Sequence, residues 1–116
     1  MPHIIIEHSK NLANKLDIPA LTLAIHNKLS EQKSFDIQAI KSRSISYENY
    51  NVTTFGGTKD FLHLQLRIMI GRSHEDIHQA VENLSKTILS LIPTSTELTI
   101  EVCEMNKNFY FKKSAQ

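Results

Sequence analysis

The sequence predicts a two-layer α+β (α/β) domain in which two β-α-β units in tandem build one four-stranded sheet with both helices on one face. Three observations predict it. Within the strand-like stretch 61–70, residues 62–68 alternate strictly between apolar and polar, the period of a strand. Two stretches, beginning near Ile18 and Ser73, repeat apolar residues at helical spacing. Each lies between two strand-like runs, so the same order recurs in pseudo-repeats at about 2–50 and 60–105 of a single domain, 1–116. Residue identity between the halves is slight.

The first strand spans about Pro2 to His8, and its Ile4-Ile5-Ile6 run reads as buried. Ser9 and Asn11 start a turn or short helical piece reaching Leu16. Asp17-Ile18-Pro19 then restarts the chain, with Pro19 in the first turn of a helix, where a missing N–H costs little. Ile18, Leu21, Ile25 and Leu29 form the inward stripe of that helix. The second strand is expected from Ile37 to Tyr47. Ile37, Ala39, Lys41, Arg43, Ile45 and Tyr47 would share one face, and Ile40, Ser42, Ser44 and Ser46 the other. Two cations side by side repel, which becomes useful where an anion sits between them. Glu48 to Asp60, with Gly56-Gly57, is the connection between halves, and Tyr47, Tyr50, Val52 and Phe55 give it the strand formers of a hairpin.

The third strand, Phe61 to Ile70, places Leu62, Leu64, Leu66, Ile68 and Ile70 on one face and His63, Gln65 and Arg67 on the other. Gly71-Arg72-Ser73 ends it. Ser73 with Asp76 makes a capping-box-like start for the second helix, whose stripe is Ile77, Val81, Leu84, Ile88, Leu91 and Ile92, stopped by Pro93. The fourth strand, Glu97 to Glu104, turns Leu98, Ile100 and Val102 to one side. A tail, Asn106 to Gln116, carries Phe109, Tyr110 and Phe111. Right-handed crossovers make both strand pairs parallel. Two helices cover one sheet face only, so a second subunit is expected over the other.

Composition narrows the function classes. Hydrophobic content of 41% and charged content of 22% sit near globular norms. A formal net charge of +1 gives no basic surface for nucleic acid or anionic membrane. The single cysteine, Cys103, permits no intrachain disulfide and suits a reducing cytoplasm. No apolar run approaches the roughly 20 residues that span a bilayer, and no signal-peptide core opens the chain. A cytoplasmic protein is expected.

Four constellations could carry chemistry. Methionine before proline is a common site of initiator removal, which would expose Pro2 as a secondary amine; proline there also simply resists degradation. A terminal amine titrates near pH 8, close enough to neutrality to act as a general base. Nearby Lys41, Arg43 and Arg72 would disfavour its protonated form, bind a substrate carboxylate and stabilise a dienolate; they also read as ordinary strand-end charges. His74-Glu75-Asp76-Ile77-His78 fits H-E-x-x-H, but it sits in the first turn after the Ser73 cap and lacks a third ligand, so no metal site is assigned. His3, His8, His26 and His63 show no ligand spacing, and Cys103 reads as a packing thiol.

Pro-His-Ile-Ile-Ile-Glu at the start, Ile40-Lys41-Ser42-Arg43, Ile70-Gly71-Arg72-Ser73, the Asp17-Ile18-Pro19 restart and the Asn108-Phe109 tail together resemble the 5-carboxymethyl-2-hydroxymuconate Δ-isomerase family of the tautomerase superfamily. The resemblance covers nearly the whole chain. It implies a homotrimer of β-α-β-β-α-β subunits and a cofactor-free isomerisation of an unsaturated oxo-diacid from aromatic-acid breakdown. It also implies Pro2 as base, with Arg72 and the position of Lys41 holding the substrate. Lys41 stands where the family pattern has arginine, keeping the charge but losing the bidentate fork; Arg43 on the same face is the retained second arginine. The rival readings are another tautomerase chemistry on a small 2-oxo acid and a non-catalytic oligomeric binding protein.

Overall fold

Alternation along the strands and capping at both helices set the architecture. The computed structural model describes residues 1–54 and 57–115. Phe55, Gly56 and Gln116, which the sequence reading assigns to the hairpin, the connector turn and the tail, lie outside the described residues. In chain order the elements are β1 (His3–Ser9), a 3-10 turn (Lys10–Asn14), α1 (Ile18–Ser30), a 3-10 turn (Ile37–Ala39) and β2 (Lys41–Tyr47). A small antiparallel hairpin, β3 (Thr53–Thr54) and β4 (Gly57–Thr58), leads to β5 (Phe61–Met69), α2 (His74–Leu89), β6 (Glu97–Met105) and a last 3-10 turn (Lys107–Phe109).

The main sheet has the order β2-β1-β5-β6. β1 runs parallel to β2, β5 runs parallel to β6, and the two units join through the antiparallel β1–β5 pair. Both expected β-α-β units are present. Their core lies on one sheet face, where Ile4, Ile6, Leu62, Leu64, Leu66 and Ile68 meet Leu21, Ile25 and Leu29 of α1 and Ala80, Leu84 and Ile88 of α2. Asp17 caps α1 by accepting the Ala20 N–H at 3.1 Å, and Ser73 caps α2 by accepting that of Asp76 at 3.1 Å. Ser42 and Ser44, on the core face of the edge strand β2, meet the polar flank of α1: His26 bonds Ser42 at 2.7 Å and Thr22 bonds Ser44 at 3.2 Å.

Several expectations change in detail. Ile37–Ala39 forms a 3-10 turn, because the Asp36 carboxylate accepts the Gln38 N–H at 3.0 Å and the Asp36 carbonyl that of Ala39 at 2.9 Å. Ile37 and Ala39 therefore do not share a strand face with Lys41. Ile5 faces away from the helices, only half buried between buried Ile4 and Ile6, as strand alternation requires. Ile70 falls beyond β5 and is 65% exposed. α2 closes at Leu89, with Ser90 donating back to Lys86, so Pro93 stands past its end; Ile92 is still buried but Leu91 is not. Ala80 takes the central place in the α2 stripe, and Val81 is only half buried.

The face away from the helices carries His3, Ile5, Glu7, Lys41, Arg43, Ile45, His63, Gln65, Arg67, Thr99, Glu101 and Cys103, placed there by register. Among the described residues no helix packs over it, and the tail reaches its His3 corner through Tyr110. Much of its polarity is paired laterally: Tyr47 donates to Glu7 at 2.8 Å, and His63 lies between Thr99 at 2.7 Å and Glu101 at 2.9 Å.

Candidate active site

Parallel pairing of β1 and β2 sets the head of β1 beside Lys41. The Lys41 N–H donates to the Pro2 carbonyl at 3.0 Å, extending the ladder one residue ahead of β1, and the Pro2 ring is fully buried. Met1 precedes it here, and its amine donates to the Ala39 carbonyl at 3.4 Å. Lys41 Nζ donates to the same carbonyl at 3.2 Å. Two cations therefore converge on one oxygen, which the Asp36-capped turn holds in place. Burial, then the charges of Lys41 and Lys112, hold the terminal amine below its ordinary pKa, and Asp36 opposes them. A depressed amine has more free base at neutral pH, which is what proton abstraction beside a carbonyl needs.

An open cavity of about 530 Å³ adjoins this corner, lined by Asp36, Gln38, Ala39, Lys41 and the tail residues Lys112 to Ala115. Across the sheet, one register row reads Lys41, His3, Arg67, Cys103. His3 has a defined tautomer: Arg43 Nη1 lies 3.0 Å from Nδ1, and a guanidinium only donates, so Nδ1 accepts and Nε2–H faces the Tyr110 hydroxyl at 2.8 Å. Burial first, then Arg43, Lys41, the terminal amine and Arg67, lower the His3 pKa and keep the ring neutral.

The sequence-predicted residues are thus brought together in part. Pro2 and Lys41 are neighbours. Arg43 is one residue pair further along the strand face, bonded to His3, and Arg72 lies elsewhere on the same end of the sheet. Arg72 Nη1 donates to the Ser34 carbonyl at 2.8 Å and to Asp76 Oδ2 at 3.1 Å, while its guanidinium stacks 3.8 Å over the Phe35 ring. Hydrogen bonds from Ser34 first, then Gln32 and Arg72, hold the Asp76 carboxyl low against a smaller upward push from burial. Arg72 therefore fastens the 32–35 loop to the start of α2. Among the described residues its contacts run through Nη1, which leaves Nε and Nη2 for a carboxylate.

Arg67 and Lys112 were missed by sequence reasoning. Alternation already put Arg67 on the open face, but only the antiparallel β1–β5 register sets it opposite His3. The tail stood out in the sequence only for its three consecutive aromatics, and nothing in the spacing said that Lys112 would return to the amino terminus. His74 and His78 are exposed and, with Glu104, border a shallow groove; among the described residues no three His, Cys, Asp or Glu side chains are placed to hold a metal. Burial and the Glu101 charge raise the Cys103 thiol, the reverse of an activated nucleophile. No helix among the described residues is long and apolar enough to cross a membrane.

The family model for 5-carboxymethyl-2-hydroxymuconate isomerase matches residues 2–115. A relative from Escherichia coli, named 5-carboxymethyl-2-hydroxymuconate Delta-isomerase, is 29% identical over 121 aligned positions, covering 98% of this chain and 94% of the relative. The crystal structure of a 5-carboxymethyl-2-hydroxymuconate delta-isomerase superposes with a TM-score of 0.88 at 20% identity, over 99% of this chain and 89% of the other. That of a 5-carboxymethyl-2-hydroxymuconate isomerase from Deinococcus radiodurans R1 does so at 0.84 and 23%, over 98% and 90%. With a mixed four-stranded sheet, two helices on one face and this match over nearly its whole length, the chain belongs to the 5-carboxymethyl-2-hydroxymuconate isomerase family and is a tautomerase-superfamily isomerase.

Proposed function

We propose that the chain, trimmed of Met1, moves a proton along an unsaturated 2-hydroxy/2-oxo diacid with the Pro2 nitrogen as general base, in the cytoplasmic breakdown of aromatic acids. The observation that carries this reading is the place of Pro2, buried at the head of β1 with its carbonyl bonded to the Lys41 N–H at 3.0 Å. The amine one residue earlier, that of Met1, is held below its ordinary pKa by burial and by Lys41 and Lys112, and trimming would bring the Pro2 nitrogen to the terminus beside the same cations. The name of the E. coli relative states a substrate of this class. The Pro2 lone pair takes the hydroxyl proton from the dienol end. The electron pair shifts through the conjugated system to a distal carbon, and the prolinium returns the proton there. Reactant and product are isomers, so the step needs no oxidant and no cofactor. Lys41 and Arg72 hold carboxylate and enolate oxygens as charge moves, and Arg43 binds as a second cation on the strand face. The active form is a homotrimer.

The test separates trimmed protein from protein retaining Met1, identified by intact mass. An acylated proline nitrogen has no basic lone pair, so trimmed protein should isomerise the diacid and Met1-retained protein should not. Pro2→Ala keeps a free, more basic primary amine and should lose most, though not all, of the activity. Equal rates for the trimmed and Met1-retained forms would eliminate Pro2 as the base.

A further inference from the structure

The tail is tied down before it reaches the site. Asn106 caps the last 3-10 turn by accepting the Asn108 N–H at 2.9 Å, and the Tyr110 ring packs edge-on against His3 at 5.8 Å while its hydroxyl bonds Nε2. Because His3 follows Pro2 directly, this contact fixes the chain beyond Tyr110 next to the amino terminus. Lys112 and Lys113 then form one wall of the 530 Å³ cavity, and Asp36, Ala39 and Lys41 contribute to the rest. Three lysines against one aspartate make it a cavity for anions. Lys41 is already turned to the Ala39 carbonyl. A monocarboxylate could be served by that ammonium alone, whereas a diacid reaching into this cavity, which neither Arg43 nor Arg72 lines, needs a further cation set apart from the first.

We propose that Lys112 is a substrate-binding residue, and that the tail anchored by Tyr110 delivers its ammonium to the second carboxylate of the diacid. This rests on the functional reading above and adds a specificity residue to it.

The test reads binding of unreactive acids, so a failure of the proline mechanism leaves it standing. NMR-monitored titrations would compare adipate with hexanoate, the monocarboxylate of equal length. The parent protein should bind adipate more tightly. Lys112→Gln should weaken adipate roughly tenfold, the scale of one charged contact, without changing hexanoate. Lys112→Arg should retain the preference, and Lys107→Gln, which removes an exposed charge elsewhere on the tail, should leave both acids unaffected. If Lys112→Gln binds adipate as tightly as the parent, or the parent shows no preference for the diacid, the assignment is wrong.

Discussion

Lys41 stands where the resemblance implies an arginine, and its surroundings say what that exchange would cost. Its Nζ is a point charge already directed at the Ala39 carbonyl, 3.2 Å away. A guanidinium at that position could bond the same carbonyl through one nitrogen and present two further N–H groups to a carboxylate. Lys41→Arg should therefore raise kcat/KM on the diacid by roughly tenfold to a hundredfold, equivalent to one charged hydrogen bond of about 1–3 kcal/mol. Steady-state kinetics on trimmed protein check this, and an unchanged kcat/KM would remove Lys41 from the binding role. At this scale the sequence was legible where covalent neighbourhood or strand pairing sets position. Pro2 and Lys41 meet because two parallel strands begin together. It was less legible for Arg72, since the contacts with Phe35, Ser34 and Asp76 join residues that no periodicity relates.

Between elements, a largely buried polar junction ties the two β-α-β units together beside the β1–β5 pair. Asp60 accepts Ser9 Oγ at 2.8 Å, Lys15 Nζ at 2.7 Å and Asn11 Nδ2 at 3.3 Å, and its carbonyl accepts the Glu97 N–H at 2.9 Å. Ser9 Oγ in turn accepts the Phe61 N–H at 3.2 Å. One aspartate, through its carboxylate and its backbone carbonyl, thereby links the end of β1, the turn after it and the starts of β5 and β6. Burial pushes the Asp60 carboxyl up, but the hydrogen bonds from Lys15 and Ser9 and the Lys15 charge outweigh it and leave the pKa below the usual value. With the folded pKa depressed, the contribution to stability is present above the unfolded value of about 4 and is lost as pH falls through the folded one. Asp60→Asn should cost about 1–3 kcal/mol at neutral pH and flatten the acid limb of the stability curve. Urea unfolding at neutral and acidic pH measures both effects, and an equally steep acid limb in the variant would show that Asp60 is not its source. None of this was visible in the sequence, where Asp60 closed a connector and Ser9 opened a turn. The helices and β5 were legible because a stripe or an alternation declares itself over many residues. The Ile37–Ala39 turn was not, because a local Asp36 side-chain bond overrode an apolar run that resembled the start of a strand.

For the whole molecule, the unresolved balance is between the covered and uncovered faces of one sheet. One face buries a continuous apolar core under α1 and α2. The other leaves Ile45 52% exposed and Tyr47 36% exposed beside paired charges, and the tail adds Phe109 at 84% and Phe111 at 89%. Single exposed apolar residues are ordinary on a monomer, but an uncovered sheet face with bare aromatics near its active-site end argues for a partner. The trimer proposed above would supply it with two further copies, and the formal net charge of +1 leaves little repulsion between copies. The lateral pairs Tyr47–Glu7 and His63–Glu101 mean that the polar groups of that face can enter an interface already satisfied. Light scattering should give about three times the 13.3 kDa chain mass. Ile45→Glu, which places a charge without a partner on that face, should lower the mass toward the monomer while far-UV circular dichroism keeps its helical signal. A parent protein that remains a monomer at micromolar concentration would refute the trimer. A trimer indifferent to Ile45→Glu would move the interface off this face.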